Sequence, residues 1–177
     1  MLLKLDRTVA PDCPVSIGRH APTVRDPRAM PRFARLFEAA ADTLNAYYQA
    51  VSEGNIDSLM ALWIDEDFAT FICPDGSHLS GLDSIRAGLS VQFENRPCTV
   101  EPLDIRVYDS LGTVVYAIAE AHQSADPDQG QVMVFCTYVM VHERGEWRIA
   151  HIHASPMPAD AAGQVAAKMR RGQGPLH

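Results

Sequence analysis

The fold is decided by one stretch near the carboxyl end of the chain, Trp147-Arg148-Ile149-Ala150-His151-Ile152-His153-Ala154-Ser155. Its apolar, β-branched and aromatic residues follow an Arg144-Gly145 turn signal and predict a β-strand. Because successive side chains on a strand point to opposite faces, Trp147, Ile149, His151, His153 and Ser155 are expected to share one face. The even-numbered residues of the stretch are expected on the other.

Three further strands are predicted upstream of this one, because the sequence period changes to two after Pro97. Short turn signals separate them, at Asp109 to Gly112 and at Asp126 to Gly130. Sequential strands with short connections predict an antiparallel meander. The predicted strands are Thr99–Tyr108, Thr113–Gln123, Val132–Glu143 and Trp147–Ser155.

The first half of the chain is mainly helical in pattern. Apolar residues recur at three and four from Phe33 to Val51, which predicts a helix from Pro31 to Gly54. A second, short helix covers Ile56 to Trp63, with Asn55 or Asp57 as its cap. The remaining predicted elements are a strand at Phe68–Ile72, a turn at Pro74-Asp75-Gly76, and a helix from Asp83 to Phe93 with Asp83 as its cap.

These elements predict an α+β domain over residues 32–158, with an arm at 1–31 and a tail at 159–177 that can hold a short helix from Ala159 to Met169. The early helices must cover one face of the sheet, and a pocket can form there. The Val132–Glu143 strand is apolar on both faces, so its second face also needs cover. We expect a homodimer that forms through this face of the sheet.

Charge and composition exclude several classes of protein. The formal net charge is -7, which disfavours nucleic acid and anionic membranes as partners. No segment reaches the roughly 20 apolar residues of a membrane span, and no signal peptide is evident. The cysteines form no C-x-x-C pair, and Cys73 and Cys136 lie in apolar runs, where a thiol acts as a small hydrophobe. A reduced, cytoplasmic, soluble protein is therefore expected.

Four segments resemble, in order, the SnoaL-like branch of the nuclear transport factor 2-like superfamily, which includes ketosteroid isomerases. They are YYQAVSEGN at Tyr47–Asn55, LMALW at Leu59–Trp63, the stretch from Pro74 to Arg86, and the closing segment Gly145–Ser155. The closing segment is also similar to the association domain of calcium/calmodulin-dependent kinase II. The resemblance covers about Phe33 to Pro158 and implies a cone-shaped fold with a curved antiparallel sheet around the helices. It implies no single reaction, because one fold hosts many functions.

The resemblance also allows the catalytic positions of ketosteroid isomerases to be compared with this chain. Those enzymes use an Asp as the base, with a Tyr and a protonated Asp as hydrogen-bond donors to the oxyanion. Tyr47 matches the oxyanion Tyr by its distance from Gly54. The position of the base holds Cys73, and the position of the protonated Asp falls near Thr137, so neither matches. Asp75 lies close to the base position, but an Asp beside Gly is typical of a turn. Steroid isomerase activity is therefore not expected, and another proton transfer remains open.

Two pairs of polar residues on strands are candidates for acid/base chemistry. His151 and His153 are two residues apart, as are Glu120 and His122, so each pair shares a face of the sheet. A carboxylate beside an imidazole raises the imidazole pKa and can make an acid/base pair. If the two pairs lie close together in space, they could also ligate a metal. The sequence contains no known metal motif, however, and we expect no metal or cofactor. The candidate catalytic residues are Tyr47, Glu120, His122, His151 and His153.

A mostly apolar pocket is expected beside these groups. Its candidate lining residues are Tyr48, Trp63, Phe68, Phe71, His78, Arg86 and Tyr138. One hypothesis is a cofactor-free isomerase, dehydratase or hydrolase that acts by acid/base catalysis on a mostly apolar small molecule. The alternative is a non-catalytic module for ligand binding or self-association. The two differ in whether a titratable pair faces the same cavity as Tyr47 or Tyr48.

Overall fold

The structure is a computed structural model, and it describes residues 32–95, 98–124 and 130–172. The arm predicted at residues 1–31 lies outside the described residues. The described elements are α1 (Arg32–Glu53), α2 (Ile56–Met60), β1 (Thr70–Ile72), β2 (His78–Ser80), α3 (Leu82–Asn95), β3 (Cys98–Ser110), β4 (Thr113–Ser124), β5 (Gln131–Glu143), β6 (Glu146–Pro156) and α4 (Ala159–Gly172). The α+β fold class is confirmed.

The first two helices are joined where the sequence signals indicated. Gly54 has a φ of 63°, a left-handed conformation that a glycine adopts without strain after a helix. Asn55 caps α2, since its side chain accepts a hydrogen bond from the Ser58 N–H at 3.0 Å. The cap predicted for α3 is wrong, because α3 begins at Leu82 and Asp83 lies in its first turn.

Six strands form one sheet in the order β2-β1-β6-β5-β4-β3. The meander from β3 to β6 is antiparallel, as predicted. β1 joins it in parallel to β6, with Thr70 opposite His151. The strand predicted at Phe68–Ile72 is shorter than expected, and β2, which pairs with β1 after the Asp75-Gly76 turn, was not predicted. Three residues are too few to show a period of two.

One face of the sheet, called here the inner face, packs against α1 and α3, and α2 packs against these two helices. Its buried side chains include Tyr116, Ile118, Cys136, Tyr138 and Ile152. The opposite, outer face is partly covered by α4, whose Lys168 forms an ion pair with Asp104 of β3 at 2.7 Å. The expectation that helices cover only one face is therefore wrong for this end of the sheet.

The faces of β6 are not those that simple alternation predicts. Met140 pairs with Ile149 and Val139 pairs with His151, so Ala150 is an extra residue in a β-bulge. Trp147 and Ile149 point to the inner face before the bulge, and Ile152 and Ala154 point there after it. The prediction that Trp147 and Ile149 share a face with His151 and His153 is wrong, because the bulge reverses the alternation.

The outer face of β5 carries Phe135, which is exposed, together with the half-buried Thr137, Val139 and Val141. The homodimer expected through this face stays a prediction. Among the helices of the described residues, none combines the length and apolar character that crossing a membrane requires.

Candidate functional site

Glu120 is a carboxylate at the centre of the inner face. It is the buried charged residue of the described core, with 0% of its surface exposed. Oε1 accepts hydrogen bonds from the hydroxyls of Tyr48 at 2.8 Å and Tyr138 at 2.7 Å. Oε2 lies 2.8 Å from Nε2 of His122. These three donors compensate for burial of the charge, which would otherwise be very costly.

Three elements bring these donors together. Glu120 and His122 lie on the same face of β4, as predicted. Tyr138 lies on the inner face of the neighbouring β5, and Tyr48 reaches down from α1. Tyr47, next to Tyr48 on the helix, packs edge-on against Tyr138 with ring centroids 5.4 Å apart. The tyrosines therefore fix the carboxylate from the helix and from the sheet at once.

The pKa of Glu120 reflects two opposing effects. Burial acts to raise the pKa of this carboxyl, but the hydrogen bonds from His122, Tyr138 and Tyr48 outweigh burial and leave the pKa below its usual value. Burial also acts to lower the pKa of His122. Hydrogen bonds with Cys98 and Glu120 outweigh that effect and raise the pKa of His122 to about 9. At neutral pH the pair is therefore an imidazolium and a carboxylate.

These residues line a cavity of about 50 Å³ on the inner face. Of the residues predicted for the site, Tyr47, Phe71, Glu120, His122 and Tyr138 line it. Tyr48 is connected to the cavity through the hydrogen bond that its hydroxyl donates to Glu120. The cavity wall also includes residues that the sequence gave no reason to select, among them Val51, Leu89, Gln92, Phe93, Cys98 and Cys136.

One end of the cavity is more open than the other. Glu120 and Tyr138 are 0% and 1% exposed, whereas the His122 side chain is 24% exposed and Gln92 is exposed. Cys98 is half-buried at the same end. A ligand would therefore meet Cys98 and His122 first, with Glu120 behind them.

Tyr47 is a buried tyrosine on the wall of the same cavity. Its ring is 7% exposed, and within the described residues the hydroxyl makes no hydrogen bond. Burial, followed by the charge of Glu120, raises its pKa well above the ordinary value, so the hydroxyl keeps its proton. Among the described residues it is therefore a donor without an acceptor, on a residue that lines the cavity.

Cys136 joins this group from β5. Its Sγ, Nε2 or Nδ1 of His122 and a carboxylate oxygen of Glu120 all lie within 4.8 Å of one another. Sulfur, nitrogen and oxygen are the ligands that Zn²⁺ takes, so these three residues are the ones that could hold an ion here. Burial and then Glu120 raise the pKa of the Cys136 thiol.

The other candidate histidines lie away from the cavity. Ile152 and Ala154 line the cavity, so His151 and His153 point to the outer face. Nδ1 of His151 lies 2.7 Å from the Thr70 hydroxyl, and the His151 and His153 rings are 6.4 Å apart. Burial, followed by the charges of His153 and His78, lowers the pKa of His151. Glu120 and His122 therefore cannot share an ion with these histidines.

Four residues predicted to line the pocket also lie elsewhere. Trp63 is buried and packs against Phe71, with ring centroids 6.4 Å apart. Phe68 is 59% exposed in the loop before β1. His78 is exposed on β2, and Arg86 of α3 forms a 2.7 Å ion pair with Asp57. Arg86 is thus engaged with a carboxylate of the protein itself.

Comparison with known proteins agrees with the observed fold. A family model described as the SnoaL-like domain matches residues 40–160. A "putative dehydratase from the NTF2-like family" of Streptomyces avermitilis is 20% identical with a TM-score of 0.66, over 71% of this chain and 99% of that one. A nuclear transport factor 2-like superfamily protein of Salmonella enterica is 15% identical with a TM-score of 0.65, over 75% and 98% of the two chains.

A third similar structure, from Thiobacillus denitrificans, is described as a "putative calcium/calmodulin-dependent protein kinase type II association domain". It is 22% identical with a TM-score of 0.58, over 66% of this chain and 93% of that one. None of the curated proteins matches the sequence. The six-stranded sheet, the helices on its inner face and the cavity between them define a protein of the nuclear transport factor 2-like fold. Within that superfamily, the chain belongs to the SnoaL-like domain family.

Proposed function

We propose that this SnoaL-like protein is an acid/base enzyme, an isomerase or dehydratase, that moves a proton on a small, mostly apolar carbonyl compound. The observation that carries the proposal is the Glu120–His122 pair on the wall of the cavity that also holds the free Tyr47 hydroxyl. A titratable pair facing the same cavity as Tyr47 is the feature that separates the catalytic hypothesis from the non-catalytic one.

In this proposal His122 carries the proton. Its Nε2–H donates to Glu120 Oε2 at 2.8 Å, which leaves Nδ1 as the basic atom of the neutral ring. Because the pKa of His122 is about 9, this neutral form is the minor one at neutral pH and increases as the pH rises. A carboxylate in this position fixes the tautomer of the imidazole and stabilises the imidazolium once it forms. Glu120 is therefore a positioning residue, and Tyr48 and Tyr138 hold it in place.

Tyr47 supplies the second requirement of the chemistry. Removal of a proton beside a carbonyl places negative charge on the carbonyl oxygen, and a fixed donor aimed at that oxygen stabilises the charge. Tyr47 lines the cavity, and its hydroxyl has no hydrogen-bond partner among the described residues. The same role is the one that the resemblance to ketosteroid isomerases implies for Tyr47.

The proton then has two destinations. Returned by His122 to a different carbon, it completes an isomerisation; given to a hydroxyl on the neighbouring carbon, it releases water and completes a dehydration. The neighbouring Streptomyces structure carries a dehydratase description, which is consistent with the second outcome. A cavity of about 50 Å³ fits a few heavy atoms, or the reacting end of a longer molecule that extends past Gln92.

A panel assay tests this function. The full-length protein is incubated in D₂O with small ketones and β-hydroxy ketones, and deuterium incorporation and enone formation are followed by NMR and ultraviolet absorbance. Exchange catalysed by the wild type, reduced at least ~100-fold in His122→Gln, is expected from the usual size of acid/base catalysis. His153→Gln, an exposed histidine on the outer face, is the matched control and retains activity. Equal rates in wild type and His122→Gln would contradict the proposal.

The small volume of the cavity favours one alternative, a module that binds a ligand or associates with itself without catalysis. All three bonds to Glu120 come from the protein itself, as a purely structural polar cluster would also require. The same panel separates the two functions. Ligands that raise the melting temperature but show no exchange would identify a binding module.

A further inference from the structure

The open end of the cavity carries a thiol that the proton transfer does not use. Cys98 is the first residue of β3, and the register pairs Val100 with His122 and Cys98 with Ser124. Cys98 and Val100 are two apart, so Cys98 shares the face of His122 and is its diagonal neighbour across the two strands. Both line the cavity.

His122 thus lies between a thiol and a carboxylate. Nε2 faces Glu120 at 2.8 Å, which leaves Nδ1 for a second partner. Cys98 lies on the same face of the two strands, and its thiol donates a long hydrogen bond of 3.7 Å to the Thr99 carbonyl. The nearby thiol also contributes to the raised pKa of His122. A nucleophile, an imidazole and an acid that orients the imidazole are the parts of an activated thiol. Glu120 is held by two tyrosines, so the imidazole is fixed by a rigid group.

We propose that Cys98 is a nucleophile of this cavity and forms a thioether with small α,β-unsaturated carbonyl compounds, with His122 as the proton relay. This inference rests on the proposed function in one respect only, because it assumes that carbonyl compounds occupy the cavity. Its electrophile is the kind of molecule that a dehydration in the same cavity would produce.

The step balances without any other reactant. The sulfur forms a bond to the β-carbon, and the π electron pair of the C=C bond moves to the α-carbon. That carbon takes a proton from His122, and the thiol proton replaces it on the imidazole. No group leaves and nothing is oxidised, so every atom of both reactants stays in the adduct. The Tyr47 hydroxyl, more than nine-tenths buried and free of partners among the described residues, is placed to donate to the carbonyl oxygen.

The chain provides its own reference thiols. Cys73 is half-buried like Cys98, but burial and then the charge of Asp75 raise the pKa of its thiol, which disfavours the reactive thiolate. Cys136 is buried, and burial and then Glu120 raise the pKa of its thiol. Cys73 and Cys98 are buried to a similar degree, so Cys73 is the control thiol with which the reactivity of Cys98 is compared.

The test is alkylation of the full-length protein by methyl vinyl ketone at limiting concentration, followed by peptide mass spectrometry at each cysteine. We expect Cys98 to react at least ~10-fold faster than Cys73, as expected of an activated thiol. His122→Gln keeps a donor for Glu120 and should slow Cys98 at least ~10-fold while leaving Cys73 unchanged. Cys98→Ser should remove the fast reaction and its thioether peptide.

Equal alkylation rates at Cys98 and Cys73 in the wild type would overturn the inference. This comparison needs no variant, so it remains decisive even if a variant fails to fold. A Cys98 rate that His122→Gln leaves unchanged would also overturn it. The proposed function fails separately: fast alkylation at Cys98 with no proton exchange in the wild type would contradict only the acid/base enzyme. Exchange without preferential alkylation would contradict only the nucleophile.

Discussion

Nε2 of His122 lies 2.8 Å from Oε2 of Glu120, two residues away on the same strand. The pair is flanked by apolar neighbours, and its carboxylate is fully buried. An ion pair in such a place stabilises a fold only when its remaining atoms are hydrogen-bonded, and here two phenols complete it. The function and the stability of the protein are therefore expected to depend on the same few atoms.

Loss of the Glu120 carboxylate should strongly destabilise the fold. Glu120→Ala removes the acceptor of two phenols and one imidazole, and we expect a loss of roughly 3–5 kcal/mol in the free energy of unfolding. Glu120→Gln keeps an acceptor oxygen and should cost less. Urea denaturation gives the values, with Glu101→Ala, an exposed glutamate on β3, as the control. A loss from Glu120→Ala no larger than that of the control would show that the three hydrogen bonds do not stabilise the fold.

Substitution of the three tyrosines should affect the stability and the activity of the protein differently. Tyr48→Phe and Tyr138→Phe each remove a hydrogen bond to a charged acceptor, and each should cost about 1.5–3 kcal/mol. Tyr47→Phe removes no hydrogen bond within the described residues, so its free energy of unfolding should change by less than about 0.5 kcal/mol. Its proton-exchange rate should nevertheless fall. A Tyr47→Phe protein with full activity would remove Tyr47 from the mechanism.

Acid should weaken the fold through the histidines of the outer face. Burial first, then His153 and His78, lowers the pKa of His151, so the folded state binds fewer protons at this site than the unfolded state. The stabilisation is therefore complete above the unfolded pKa of 6.5 and declines as the pH falls below it. Melting temperatures between pH 8 and pH 5 should fall less in His151→Gln than in the wild type. An identical decline in both proteins would contradict this account.

Most of the fold follows from the sequence pattern, because long strands with short turns leave few alternatives. Glu120 could also be identified as a candidate site residue from the sequence, because a carboxylate within an apolar strand requires a partner. The bulge at Ala150 was not, because alanine fits either face and the pattern of β6 carries no sign of an extra residue. That one residue moves His151 and His153 away from the cavity.

The partners of Glu120 and His122 depend on contacts between elements that are distant in sequence. Tyr48 lies 72 residues before Glu120, and no periodicity relates the two. Cys98 and Cys136 meet the cluster only through the register of β3, β4 and β5. Neither residue belongs to a recognisable sequence motif, so neither carried a signal that distinguished it from core or loop.

Alkaline conditions should weaken the fold through His122. Its pKa of about 9 in the folded protein lies above the ordinary value of 6.5, so the folded state holds the extra proton more tightly. The stabilisation is complete below pH 6.5, declines as the pH rises, and is lost above pH 9. The advantage of wild type over His122→Gln in urea denaturation should shrink by roughly 3 kcal/mol between pH 6 and pH 10. An advantage that does not change with pH would contradict the raised pKa.

The pKa of His122 itself is the most direct test of the imidazolium–carboxylate pair. Its imidazole resonances can be followed by NMR from pH 5 to pH 10.5 and assigned by their absence in His122→Gln. We predict a midpoint of about 9 in the wild type, moving toward the ordinary value in Glu120→Gln. A wild-type midpoint near 6.5, unchanged by Glu120→Gln, would contradict the account.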